Sequence, residues 1–217
     1  MQYHSYIFIT PEPKFNELSV SMQKKYKTEF LKTLSESKSV VAFTYATLGL
    51  KLNTNIMIWF QSDAIENIQD LINKLMHTSL GKLLKITYTL FGMTRPTQYS
   101  PKSTNHLETQ RKGGKYLTIY PFTKTQDWYK LDFETRKNLM WGHVSIGKKH
   151  PSIEQLLLYS YGLDDQEFIV SYEMNDLLEF QTLVMELRSD KVREYTLKDT
   201  PIFTCIYKPM DQVLDYL

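Results

Sequence analysis

Cysteine is almost missing from this chain: Cys205 is the only one among 217 residues. No disulfide can close within it, and no cluster of thiolates can hold zinc, so the cytoplasm is the compartment its chemistry suits. Long apolar runs are missing as well. Stretches such as Ile56 to Phe60 and Leu156 to Leu158 are strand-sized, against the ~20 apolar residues that a membrane-crossing helix needs. The opening Met1-Gln2-Tyr3-His4-Ser5-Tyr6-Ile7-Phe8-Ile9-Thr10 lacks the basic start and small-residue cleavage site of a signal peptide, and reads as a strand. Nor is charge lopsided. With 26 Lys and Arg against 24 Asp and Glu the net charge is +2, too little to call for nucleic acid. The short basic cluster Arg111-Lys112-Gly113-Gly114-Lys115 reads first as solvated loop. What is plentiful is rings: 15 Tyr and 11 Phe, in a chain 42% hydrophobic and 23% charged. That is a globular composition suited to many strands or to a ring-lined pocket.

Periodicity divides the chain into two similar halves. Residues 4–10 form a strand, Pro11 and Pro13 punctuate, and Leu18, Met22, Tyr26 and Phe30 then recur at helical spacing. Val40 to Tyr45 and Asn55 to Ser62 read as a hairpin. Asp63 with Glu66 resembles a capping box and opens a helix faced by Ile65, Ile68, Ile72, Leu75 and Met76, which Gly81 ends. Leu84 to Gly92 is the next strand, and Thr94 to Gly114 is a polar loop. The order then repeats: strand Lys115 to Lys124, helix Leu131 to His150, strands Ile153 to Tyr161 and Phe168 to Met174, a helix capped by Asp176 and Glu179, and strand Pro201 to Tyr207. Each half spells β-α-β-β-α-β, the ferredoxin-like motif. A single such sheet leaves one face bare, which strands this rich in aromatics would not tolerate in water. The expected fold is therefore α+β, two fused ferredoxin-like units forming a dimeric α+β barrel with helices outside. The units are expected at 1–98 and 115–217, joined by a linker over 99–114, and so many rings suggest further association.

Among the residues that could carry chemistry, His143 has the most informative setting. Met140, His143, Ile146 and Gly147 share one stripe of their helix. A histidine on an apolar stripe is ordinarily a hydrogen-bonded core residue. Glycine inside a helix, however, costs on the order of 1 kcal/mol relative to Ala, and one turn beyond the histidine it clears room for a flat ligand such as a porphyrin held through iron. Tyr120 and Lys124 share a strand. Near a ligand carboxylate they offer an oxidisable phenol and a cation; otherwise they are a sheet aromatic and a solvated strand end. Gln155, if it projects into an apolar interior, needs a partner, for which a ligand or water would serve. Asp164 and Asp165 read as turn residues rather than a cation site.

Taken in order, Tyr120-Pro121-Phe122-Thr123-Lys124, Trp128-Tyr129-x-Leu131, Arg136-x-x-Leu139-Met140-x-x-His143-x-x-x-Gly147 and Gly162-Leu163-Asp164-Asp165-x-Glu167-Phe168 resemble the chlorite dismutase family. Phe180-x-x-Leu183-Val184-x-x-Leu187-Arg188 and Asp199-Thr200-Pro201 continue the match, which covers about residues 115 to 204. The resemblance implies heme in the C-terminal half of a duplicated ferredoxin-like barrel, assembled as a homo-oligomer, typically a pentamer. It implies that His143 is the axial iron ligand, and it puts Gln155 at the distal position. True chlorite dismutases carry an arginine there, and a neutral amide cannot supply its charge-assisted hydrogen bond. Glutamine instead resembles the coproheme decarboxylases, which convert iron coproporphyrin III to heme b with hydrogen peroxide. In that branch Tyr120 would form the radical that starts propionate decarboxylation and Lys124 would assist proton delivery. Arg111 would be the further propionate contact. The carboxylate behind the proximal histidine stays open between Glu186 and Glu194.

The expected function is thus a peroxide-using heme enzyme of the coproheme decarboxylase type or a related peroxidase, binding heme b or iron coproporphyrin III, with no nucleic acid or membrane partner. A non-catalytic heme carrier is the alternative. A single-stranded RNA platform on Ile56-Met57-Ile58-Trp59-Phe60 is a weaker one, since the glycine-aromatic signature of that module is missing.

Overall fold

The computed structural model describes residues 1–99 and 111–217. Residues 100–110 of the expected linker lie outside them. The described residues form two units, Met1–Met93 with Thr204–Leu217, and Thr94–Phe203.

The first unit runs β1 (Tyr3–Pro11), α1 (Pro13–Asn16), α2 (Val20–Ser35), β2 (Val41–Ala46), β3 (Ile56–Ser62), α3 (Ile65–His77) and β4 (Leu84–Met93). Its strands are antiparallel in the order β4-β1-β3-β2, the ferredoxin-like arrangement. The register Ile7↔Ile58 and Ile9↔Ile56 aligns alternate residues on one face. That face buries Ile7, Ile9, Ile56, Ile58 and Phe60 against Phe30 and Leu34 of α2 and Ile68, Leu71 and Leu75 of α3. Val213 and Leu214, near the C-terminus, fill the same core.

Three local expectations are corrected here. Met22 is 41% exposed, so α2 meets the core through buried Phe30 and Leu34 and partly buried Tyr26, and the separate α1 turn adds Phe15. The helix α3 starts at Ile65 with Ala64 as its uncapped boundary; Ser62 Oγ, rather than Asp63, accepts from the Ala64 amide at 3.3 Å. It stops at His77, before Gly81. Gly81 is needed for another reason, since a Cβ there would run into the Leu75 carbonyl.

The other face of β1 and β3 holds a buried histidine. Trp59 Nε1 donates to His4 Nδ1 at 3.1 Å, and Tyr6 stacks on Trp59. Burial pushes the His4 pKa from its ordinary 6.5 down to about 3. Between those values the unfolded chain binds a proton that the folded chain refuses, so stability is complete above the unfolded pKa and falls with pH toward the folded one. The expected loss is on the order of 4 kcal/mol at the acid end. Denaturation midpoints measured from pH 7 to 4 should show a shallower decline for His4→Gln, which cannot titrate; identical slopes would clear His4 of the effect.

The second unit runs β5 (Tyr116–Lys124), α4 (Gln126–Lys130), α5 (Phe133–Gly147), β6 (Glu154–Tyr159), β7 (Phe168–Met174), α6 (Leu177–Arg188), a 3-10 turn (Lys191–Tyr195) and β8 (Thr196–Lys198). The strands are antiparallel in the order β6-β7-β5-β8. Asp176 caps α6 as expected, accepting from the Leu178 amide at 2.8 Å. Phe180 and Leu183 then seat that helix on Val170, Tyr172 and Met174 of β7. The mixed α+β architecture therefore agrees with the sequence reading. Among the described residues no helix is long and apolar enough to cross a membrane.

Candidate functional site

The two long helices of the second unit behave differently. α6 lies on the sheet through buried side chains, whereas α5 has no buried residue along all 15 positions. It packs against α6 and the 3-10 turn, capped by Asp132, which accepts from the Thr135 amide at 2.9 Å. On its apolar stripe Ile146 packs, partly buried, against the core of β7 and α6, while the rest of the stripe buries no side chain and leaves room for a third body. Gly147 belongs to this geometry: a Cβ there would meet nothing within 4 Å.

His143 sits midway along α5 with its side chain 25% exposed, Nδ1 standing 3.5 Å from Asp190 Oδ2. That separation is long for a hydrogen bond but close for an electrostatic pair. Burial lowers the imidazole pKa, and Asp190 opposes the shift. Asp190 on Nδ1 leaves Nε2 as the nitrogen that can donate to a metal. The two carboxylates left open for this place lie elsewhere: Glu186 accepts from Lys149 Nζ at 3.2 Å and stands 3.3 Å from His150 Nε2, and Glu194 is exposed. Asp190 escaped notice because it lies in the turn after α6, where helical register gives no guide.

Tyr120 and Lys124 point to the helix side of the sheet. The register Tyr120↔Val170 and Thr118↔Tyr172 puts them on the face that carries the α6 core. Tyr120 stacks on Tyr172 at 6.2 Å. Burial raises the Tyr120 pKa, while the Tyr172 hydroxyl, itself buried, pulls it back. Tyr172 was not foreseen, since nothing marks it apart from the other strand aromatics. Thr118, in the same row, has a buried hydroxyl without a hydrogen-bond partner. Lys124 is buried, with Nζ 4.5 Å over the Trp128 ring. Burial, reinforced by Arg193, brings its pKa down to about 8, so its ammonium gives up a proton more readily than an exposed lysine would. Its charge is also felt at His143. Beside this group Asp199 bridges Arg188 at 2.7 Å and Arg193 at 2.9 Å.

Gln155 stands opposite Tyr172 on β6, so it shares a row with Tyr172 and Thr118, and its side chain is exposed. Arg111 is placed apart from these four. Its Nη2 donates to the Gly114 carbonyl at 2.6 Å, and Glu173 anchors the loop by accepting from the Gly114 amide at 3.0 Å. Glu173 alternates with Tyr172 and so lies on the opposite sheet face.

The donor set limits what can bind. Among the described residues no three His, Cys, Asp or Glu side chains gather to chelate a metal. A metal held at His143 must bring its other ligands with it, as iron in a tetrapyrrole does. The open stripe of α5, the free side of His143 and the row Gln155, Tyr172, Thr118 fit such a flat group.

Similarity to known proteins points the same way. The family model described as chlorite dismutase matches residues 22–208. A coproheme decarboxylase of Mycolicibacterium smegmatis is 26% identical over 176 residues, spanning 81% of this chain and 76% of that one. Among solved structures, a variant chlorite dismutase from Candidatus Nitrospira defluvii superposes with a TM-score of 0.90 at 22% identity, covering 99% of this chain and 94% of that one. The complex of that organism's chlorite dismutase with imidazole gives 0.89 at 22% identity, with the same coverage. The match of the family model over residues 22–208 establishes that this protein belongs to the chlorite dismutase family.

Proposed function

We propose that the protein is a peroxide-using heme enzyme of the coproheme decarboxylase type, converting iron coproporphyrin III to heme b. The observation that carries this reading is the phenol of Tyr120, half-buried on the same sheet face as Gln155 and Lys124, in the unit where α5 presents His143. The relative from Mycolicibacterium smegmatis supports it. Gln155 supports it against chlorite turnover, because a neutral amide lacks the charge to hold an oxychlorine anion.

In this reading His143 Nε2 holds the iron, and Asp190 orients the ring through Nδ1. The bound iron porphyrin supplies the two-electron oxidation by peroxide. Each turnover takes one propionate arm and one hydrogen peroxide to a vinyl group, carbon dioxide and two waters. Tyr120 gives up its phenolic hydrogen and the resulting phenoxyl removes a hydrogen atom from the propionate carbon next to the ring. The second electron of the oxidation would pass to the oxidant generated from peroxide, and the carboxylate would leave as carbon dioxide. Lys124, with its lowered pKa, hands on the proton. Gln155 offers an amide to the peroxide side. Arg111 donates through Nη2 to the Gly114 carbonyl, and the assignment rests on the other four residues. Assembly as a homopentamer in the cytoplasm belongs to the same reading.

The test is to add iron coproporphyrin III to the purified chain, confirm saturable binding from the Soret band, and follow heme b formation as peroxide is supplied. Formation of heme b is the expected result. Binding with no turnover would instead identify a heme carrier. A further expected outcome concerns Asp190. Asp190→Asn keeps the axial bond but weakens electron donation from the imidazole, so the iron–histidine stretch should fall in frequency and turnover should drop about 10- to 100-fold. An unchanged stretch would remove Asp190 from the ligand's support.

A further inference from the structure

Arg136 lies on the same stripe of α5 as Met140 and His143. Seven residues separate it from His143, about 10.5 Å along the axis and nearly the same direction around it. That distance suits the periphery of a flat group centred on the His143 nitrogen. The Arg136 Nε is buried and has no hydrogen-bond partner, and none of the ion pairs among the described residues involves it. A guanidinium partly withdrawn from water with no counter-charge is unfavourable unless a ligand supplies one.

Its neighbours are of one kind. The Tyr99 ring stacks on Phe133, three residues before Arg136 on the helix, at 5.8 Å. The Tyr99 hydroxyl is buried, and Arg136 lies close enough to offset part of the rise that burial causes in its pKa. Tyr159, four residues beyond Gln155 on the same face of β6, closes the sheet side, with Thr97 on its hydroxyl and Arg95 nearby. Cations and phenols converge here with no carboxylate among the partners the structure gives them.

We propose that Arg136, assisted by the Tyr99 hydroxyl, is a specificity-determining site for a peripheral carboxylate of the tetrapyrrole. The assignment rests on the reading of the α5 cleft as a tetrapyrrole site and deepens it. The guanidinium fork suits a carboxylate in two-point contact, and a phenol adds a third hydrogen bond. A ligand with four propionates is thereby favoured over one whose arms carry no charge.

The test compares dissociation constants, read from quenching of tryptophan fluorescence, for iron coproporphyrin III and for its tetramethyl ester, in which every carboxylate is masked. Arg136→Ala is expected to weaken the free acid about 10- to 100-fold, the range of a charged hydrogen-bonded pair, and to leave the ester unchanged. Arg136→Lys should recover part of the loss. Equal weakening of both ligands would show a structural role and overturn the proposal, as would an unchanged constant for the acid in a variant whose thermal melt matches the parent. Arg136→Gln, which keeps length and polarity, repeats the comparison if the alanine variant does not fold. Should the parent chain bind neither ligand, the tetrapyrrole reading itself falls and takes this site with it.

Discussion

Replacing His143 by alanine is expected to abolish the spectrum of histidine-ligated ferric iron and to cut porphyrin affinity at least tenfold, with little change in folding. The argument is one of elimination within the described residues. His4 is buried in the first unit and accepts from Trp59. His77 Nδ1 lies 2.8 Å from the Asn73 carbonyl, and His150 is buried between Glu179 and Glu186. His143 lies on a helix with no buried residue, which reaches the core only through the partly buried Ile146 one turn on. For the same reason its removal takes away no packing, so the variant should melt within about 1 kcal/mol of the parent, as a substitution outside the core does. Imidazole added to solution should restore the ligated spectrum by entering the vacated space. Persistence of the spectrum in the variant without added imidazole would mean that another histidine carries the iron.

The second large effect is expected from Tyr120→Phe. The substitution removes only the oxidisable hydroxyl and keeps the ring that stacks on Tyr172. Porphyrin binding should therefore stay within about twofold, while decarboxylation falls at least a hundredfold. The loss also strips Tyr172 of a phenol neighbour, at a cost of about 1 to 3 kcal/mol if its buried hydroxyl is left unsatisfied. Tyr172→Phe is the control for that. If both variants lose turnover equally, the pair acts as a unit and the radical cannot be assigned to Tyr120 alone. If Tyr120→Phe turns over as the parent does, Tyr120 has no part in the chemistry.

The sequence spoke plainly where one face of an element is buried and faintly elsewhere. Ile7 and Ile9 against Ile56 and Ile58 obey strand alternation, and the strand Phe168–Met174 could be read at its true ends. The first unit's second helix misled at Met22, because a four-residue spacing is satisfied by any stripe and only the packing partner selects one. Capping was legible at Asp176, whose carboxylate reaches two amides, and illegible at Asp63, where Ser62 is better placed. His143 could be found from its glycine neighbour one turn on. Asp190, Tyr172 and Thr118 could not, since each gains its meaning from an element distant in sequence: Asp190 from the packing of α5 on the turn after α6, the other two from strand register. Arg111 is a like case. Its loop is held by Glu173, which accepts from the Gly114 amide, and no local pattern announces that contact.

The measurement that bears most directly on the account is a mass spectrum of the porphyrin after the protein, loaded with iron coproporphyrin III, receives hydrogen peroxide in sub-stoichiometric steps. Two successive losses corresponding to one carboxyl group each, through an intermediate with three propionates and ending at heme b, are the predicted result. A porphyrin that stays bound with all four propionates while peroxide is consumed, or one that is bleached without any vinyl product, would contradict it.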